Sequence, residues 1–272
     1  MRPVRSFSSF ILCIAAIALL SACTERTSTP PSLPTQVDPA ARATSIVLTR
    51  ESPPAGFDLL ALPQIDVGLE RLNGWRYEMS FSFEGVYSGT TRLVRAETRA
   101  EVSYNLVTSA RRVLATLEND LQDDQAPVTY EAVLLGEDAF LVRDGTCLSN
   151  NPQDARSAAS LGAGSLLGGI RQADSLPRRA TINTQEVFGY RFEPDSLLLP
   201  NVGFGEDSQL LAITGELWYS PTHQAVVRYY LNLELERVRI LESSLPMTGT
   251  LLLRYDVYDV GVAPNISVPF GC

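Results

Sequence analysis

The chain has 272 residues and a net charge of −9, from 31 acidic and 22 basic residues, with 45% hydrophobic content. Every basic residue is arginine, which excludes Schiff-base and serine–lysine chemistry. The acidic balance repels phosphate backbones and no basic aromatic stripe offsets it, which excludes nucleic acid as a partner.

The first residues speak to compartment. Arg2 and Arg5 precede an apolar run from Phe10 to Leu20. That run is shorter than the roughly 20 residues a helix needs to cross a bilayer, and has the length of a signal-peptide core. It ends in Leu20-Ser21-Ala22-Cys23, small residues before a cysteine whose thiol can take diacylglycerol. The pattern predicts a lipoprotein signal over 1–22 and lipidation of Cys23; an ordinary secretory signal with a chance cysteine is the other reading. Removing residues 1–22 of 272 leaves 250, and losing two arginines moves the charge from −9 to −11. The expected location is the cell envelope, facing periplasm or exterior: the outer membrane in a two-membrane cell, the outer face of the plasma membrane in a one-membrane cell.

Residues 23–43 form the lipidated cysteine and a tether. Pro30, Pro31, Pro34 and Pro39 stand among Thr, Ser and Ala. Such a segment buries too little to fold, and spans up to about 60 Å if extended at about 3.1 Å per residue. Residues 44–272 make the globular domain.

Gln64 to Leu72 is a short helical candidate with Ile65, Leu69 and Leu72 on one face. Strands follow. Trp75, Tyr77, Met79, Phe81 and Phe83 alternate with Arg76, Glu78, Ser80, Ser82 and Glu84, a strand with one buried and one wet face. Val94 to Leu106 alternates likewise, and weaker strands run near Val128–Leu135 and Ala139–Arg143. Gly85-Val86-Tyr87-Ser88-Gly89 and Gly136-Glu137-Asp138 fit hairpin connections.

Asn150-Asn151-Pro152 opens an Ala/Leu-rich stretch, with Asn151 as cap and Pro152 at the first helical position. Ala155, Ala158, Ala159, Leu166, Leu167 and Ile170 predict helical cover for the apolar sheet face, broken by Gly162, Gly164, Gly168 and Gly169. Strands resume at Thr181–Val187, Tyr190–Phe192 and Ile213–Tyr219. After a Ser220-Pro221-Thr222-His223 turn, Val227, Tyr229, Leu231, Leu233 and Leu235 alternate with Arg228, Tyr230, Asn232, Glu234 and Glu236. Leu251, Leu253, Tyr255 and Val257 close the series. Consecutive strands with short turns predict an antiparallel meander, and its one-sided polarity requires a cover on one face. The fold class is α+β, mainly β.

Cysteines sort by position. Cys13 lies in the signal and Cys23 takes lipid. Cys147 and Cys272 remain in an exported chain, where disulfides persist; a bridge between them is the expectation and two free thiols the alternative. No cofactor or metal is expected, since two cysteines and one distant histidine make no ligand cluster.

Catalytic candidates are poor. His223, the sole histidine, sits in a turn without a nucleophile elbow. Gly162-Ala163-Gly164-Ser165 lacks the lysine and preceding strand of a phosphate loop. Glu118, Asp120, Asp123 and Asp124 lack EF-hand spacing and read as a solvated loop. Arg178-Arg179, after Leu176-Pro177, reads as a surface pair, or as a contact for anionic headgroups at a cavity mouth. The expectation is a non-enzyme.

The order of features resembles the LppX/LprAFG lipoproteins, within the LolA/LolB-like group, over most of Leu60–Pro269. The resemblance rests on the Trp75–Gly85 strand and the Leu135-Gly136-Glu137-Asp138-Ala139-Phe140-Leu141-Val142-Arg143 hairpin. It also rests on the Ala/Leu/Gly stretch, the Gly215–Pro221 tryptophan strand with Val226-Val227-Arg228, and the closing Tyr255–Gly261 and Ile266–Pro269 segments. Where relatives often carry a tryptophan after the Gly-acid hairpin, this chain has Cys147. The resemblance implies a curved half-barrel with helices over its concave apolar face and a cavity for acyl chains. Its lining would be Trp75, Tyr77, Met79, Phe81, Phe83, Leu166, Leu167, Ile170, Val227, Tyr229, Leu231 and Leu233. The function expected from it is a membrane-anchored lipoprotein that binds lipid or acylated ligands, for transport across the envelope. The alternative is a regulatory or scaffolding lipoprotein of the same fold, with another envelope protein as partner.

Overall fold

The computed structural model describes residues 48–121, 126–148 and 152–272. The signal, Cys23 and the tether, with Asp123, Asp124, Asn150 and Asn151, lie outside the described residues.

The strands are β1 (Leu59–Leu62), β2 (Gly74–Tyr87), β3 (Leu93–Asn105), β4 (Ala110–Asn119), β5 (Val128–Leu135), β6 (Asp138–Arg143) and β7 (Thr146–Cys147). Two short helices follow, α1 (Pro152–Ala159) and α2 (Ala163–Leu167). Then come β8 (Gly169–Ile182), β9 (Gln185–Arg191), β10 (Leu197–Leu198), β11 (Val202–Gly203), β12 (Gln209–Ser220), β13 (Ala225–Ile240) and β14 (Met247–Tyr258). They form one open, curved antiparallel sheet in the order β1-β8-β9-β12-β13-β14-β2-β3-β4-β5-β6-β7, with β10 on β8 and β11 on β13. The architecture is a half-barrel, mainly β, with little helix.

Alternation explains the layers. On β2 the aromatic set Trp75 to Phe83 is buried, and its register partners, such as Val102 on β3 and Leu253 on β14, extend the same face. On the convex side Arg76 bonds Glu78 (3.0 Å), Glu101 (3.2 Å) and Asp259 (3.0 Å). Such exposed pairs each contribute little to stability, but they keep that face wet.

The concave face is covered in pieces. α1 sets Ala155 and Ala159 on Ala132 and Leu141 of β5 and β6. α2 lies against β2 and β14, where the Ala163 N–H donates to the Tyr77 hydroxyl (3.2 Å). Arg111 fastens the link between the helices, donating to the carbonyls of Ala159 and Leu161 at 2.8 Å each. The C-terminal tail is tied at three points. The Gly261 N–H donates to Gly74 O (2.8 Å), Asn105 Nδ2 donates to Pro264 O (2.8 Å), and Cys272 is disulfide-bonded to Cys147, Cα atoms 5.3 Å apart.

Several local expectations are corrected. Gln64–Leu72 is not an α-helix; it holds one 3₁₀ turn, Leu69–Arg71. Gly68 enters that turn at φ +95°, and a Cβ there would lie 2.2 Å from Gln224 O, so the segment is pressed against the β12–β13 turn. Ile65 and Leu69 are buried as their spacing implies. The helical stretch stops at Leu167: Gly168, at φ +87°, turns the chain, and Ile170 belongs to β8. Arg178 and Arg179 are therefore strand residues. Thr181–Val187 is not one strand, because Asn183 and Thr184 take positive φ (48° and 68°) and make the β8–β9 hairpin. Gly85 lies inside β2 opposite Gly249, and the turn comes after Tyr87.

Candidate functional site

The twelve residues expected to line a cavity are all buried, none more than 8% exposed and half of them at 0%. A cavity able to hold even one water needs wall surface that a water-sized sphere can touch. Around these side chains that surface is missing, so they form packed core. Eleven of them belong to the single large concave cluster. Val227 does not: it lies on the opposite face with Ala180, Ile182, Val187 and Trp218. The cause is a β-bulge. Trp218 pairs with Arg228 but Tyr219 pairs with Val226, leaving Val227 as the extra residue and inverting the alternation there. Tyr77 shows how dry this interior is: burial pushes its hydroxyl up to about 12, against the opposing effect of Arg111.

Space is found elsewhere. A cleft of about 310 Å³ opens where β8, β9 and β12 splay apart. Its origin lies in the register. β8–β9 pairing is interrupted between Ser175 and Arg179, around Pro177, which has no N–H to donate. β9 pairs with β12 over only Tyr190–Leu217, Gly189–Trp218 and Phe188–Tyr219. Beyond Arg191 the chain turns away into the 3₁₀ turn Pro194–Ser196, with Pro194 at its first position. Among the described residues, the edge of β12 before Leu217 therefore has no strand beside it on that side.

The cleft has apolar walls and a polar rim. Leu176, Phe192 and Ile213 supply the walls, and Leu217 (1% exposed) and Trp218 (6%) are packed side chains behind them. Phe192 packs over Gly215, where a Cβ would stand 2.9 Å from both the ring and Tyr230 O, and its ring centroid lies 6.1 Å from that of Tyr229. On the other side Gly189 brings Arg178 and Trp218 together: a Cβ there would lie 3.4 Å from Arg178 Cβ and 3.3 Å from the indole. Trp218 Nε1 donates to Glu216 (3.2 Å). The Tyr190 hydroxyl donates to Phe57 O (2.7 Å), and burial pushes its pKa up.

Arg178 and Arg191 stand at the rim, and among the described residues neither is paired with a carboxylate. Their neighbour Arg179 differs: it bonds Glu51 at 2.7 Å and also Glu186. Of the sequence-marked residues, the cleft brings together Arg178 and Trp218 and leaves out all of the expected lining. Sequence reasoning missed Phe192, Ile213 and Gly215 as partners. The available signal was Pro177 inside a strand together with the side-chain-free Gly189 and Gly215.

The remaining motifs are structural. His223 sits in the β12–β13 turn. The Gly164 N–H donates to Asp66 Oδ1 (3.0 Å), and a Cβ on Gly164 would lie 2.5 Å from Gln64 Cβ, so this glycine serves close packing beside a carboxylate. Among the described residues no group of three or more His, Cys, Asp or Glu is placed to hold a metal, and no helix is long and apolar enough to cross a membrane.

No protein-family model matches the chain, and no curated protein matches it. Among solved structures it is similar to the YwiB protein from Bacillus subtilis, at 8% identity and a TM-score of 0.20, over 68% of this chain and 92% of that one.

Proposed function

We propose that this is a lipid-anchored protein of the cell envelope that binds a lipid or acylated ligand in the β8–β9–β12 cleft, not inside the half-barrel. The observation that supports this reading is the combination, around a space of 310 Å³, of apolar walls and two arginines that have no carboxylate partner among the described residues. Small-molecule sites run from about 300 to 1,000 Å³, so the cleft suits one acyl segment, not a bundle of chains. Each methylene moved out of water there contributes about 0.8 kcal/mol. No chemical step is required of the protein. The anchor is the Cys23 lipid that the Leu-Ser-Ala-Cys box calls for.

The filled interior supports a second reading, a scaffolding or regulatory envelope protein that uses its surface and carries nothing. Exposed Phe204 and Leu211, beside the open stretch of β12, are the contacts such a role would use. One experiment separates the two. Intact-mass and native mass spectrometry of protein purified without detergent, with lipid extraction of the same sample, should give an acylated N-terminal peptide at Cys23 and a bound single-chain lipid at up to one per protein. A free N-terminus would remove the anchor. Protein that is ligand-free and stays so when offered lipid would leave the scaffold.

A further inference from the structure

The cleft's rim specifies the charge of what it holds. Arg76, Arg95, Arg99, Arg112, Arg179 and Arg228 each find a carboxylate, while Arg111, Arg143, Arg171 and Arg239 have none among the described residues. Arg178 and Arg191 also have none among the described residues, and these two line the same small cleft. Glu216 and Glu193 line the cleft as well, and Glu216 accepts from the Trp218 indole. Leu176, Phe192 and Ile213 line the cleft beside them.

From this we infer that the ligand is an amphipathic anion. A carboxylate or phosphate monoester is held between Arg178 and Arg191, and one apolar chain lies along Phe192 and Ile213. The inference deepens the proposed function and rests on it. Guanidinium suits both headgroups because its planar fork donates two parallel hydrogen bonds to paired oxygens. A cationic head placed between Arg178 and Arg191 would meet two like charges, and a neutral head there would leave both arginines without an anion. Glu193 and Glu216, the two carboxylates of the lining, penalise a second negative charge placed away from the arginines. That favours a compact single headgroup.

Trp218 supplies the readout. Both tryptophans are buried, but Trp218 borders the cleft from its small cluster, whereas Trp75, the only other tryptophan, lies in the large concave core. The purified full chain is titrated with dodecyl phosphate, dodecyltrimethylammonium and inorganic phosphate, each below any micelle concentration, following Trp218 emission. The Trp218→Phe variant serves as the silent control. Arg178→Gln and Arg191→Gln are compared with the parent; both sites are exposed, and circular dichroism checks folding.

The expected result is saturable binding of dodecyl phosphate, weakened about tenfold or more by each substitution, the loss typical of a charge-assisted hydrogen bond. Arg178→Lys should recover part of the affinity. Dodecyltrimethylammonium should bind at least tenfold more weakly. Equal affinity for the cationic and anionic amphiphiles, or unchanged binding in both glutamine variants, overturns the headgroup inference and leaves the cleft reading standing. Inorganic phosphate binding as tightly as dodecyl phosphate overturns the amphipathic ligand and with it the proposed function. No response to any probe overturns both.

Discussion

Arg228 and Asp256 form an ion pair on the convex face, Nε to Oδ1 at 2.7 Å, with both side chains about nine-tenths buried. Tyr230 donates to the other carboxylate oxygen, and the Arg228 guanidinium lies 4.9 Å over the Tyr230 ring. Burial pushes the Asp256 carboxyl above its ordinary range, while Tyr230 and Arg228 draw it back. Asp256→Ala leaves a buried guanidinium unpaired and should cost about 3–5 kcal/mol. Replacing both residues with leucine should cost far less than the two single changes combined. Urea unfolding of the four proteins in a double-mutant cycle measures this; additive losses would show the pair uncoupled.

The β8–β9 hairpin folds toward this pair, with Asn183 Nδ2 donating to Val257 O (2.9 Å). No periodicity announces that contact, because it depends on a positive-φ turn at Asn183-Thr184 and on the bulge at Val227. What periodicity does announce is the layer structure. Trp75 to Phe83 and Tyr229 to Leu235 alternate in sequence and are buried on one face in the structure. The helical stretch was only partly legible: Ala155 and Ala159 are helical, while Ile170 is strand, since an apolar run beside glycines fits either state. The cleft is legible only as Pro177, Gly189 and Gly215 standing inside strands; its position comes from where strands stop pairing, a property of register that one sequence does not display.

Hydroxyls in the concave core separate by partner. The Tyr229 hydroxyl finds no hydrogen-bond partner among the described residues, while that of Tyr77 accepts from Ala163. Tyr229→Phe should leave stability unchanged or raise it by up to about 1 kcal/mol, and Tyr77→Phe should lower it by about 1 kcal/mol. A marked loss in Tyr229→Phe by thermal unfolding would reveal a bridging group that this core holds.

Alkaline pH should destabilise the fold through the same residues. Tyr77 is pushed up to about 12 by burial, against about 10 in an unfolded chain. Its contribution is complete below pH 10 and is lost as pH rises through 12, because the unfolded chain gives up the proton first. Two pH units correspond to about 3 kcal/mol at the limit. Urea midpoints should fall steadily between pH 10 and 11.5; a flat profile would contradict the burial of this hydroxyl.

The Cys147–Cys272 bridge closes a loop of 125 residues and fixes the end of the tail. Cys272→Ser should lower stability by at most about 5 kcal/mol by chain-entropy arithmetic, and should speed hydrogen exchange in 262–272 before any other segment. Unchanged exchange there would mean that Asn105 and Gly74 hold the tail unaided.

Gly215 gives Phe192 its seat. Gly215→Ala puts a methyl 2.9 Å from the ring and from a backbone carbonyl, so it should cost about 1–3 kcal/mol, as overpacking does. It should also weaken dodecyl phosphate binding, whereas Gly205→Ala, outside the cleft, where a Cβ meets only Ser208 Oγ at 3.7 Å, should leave binding alone. Equal binding in both variants would detach Phe192 from the site.

The claim that ligand sits in the β8–β9–β12 cleft is tested most directly by photo-crosslinking. A single-chain fatty acid bearing a diazirine in its tail is bound to the full chain and irradiated, and adducts are mapped by tandem mass spectrometry. The account predicts adducts on residues 189–194 and 213–218, reduced in Arg178→Gln. Adducts on the concave strand Trp75–Phe83 would place the ligand inside the half-barrel and contradict it.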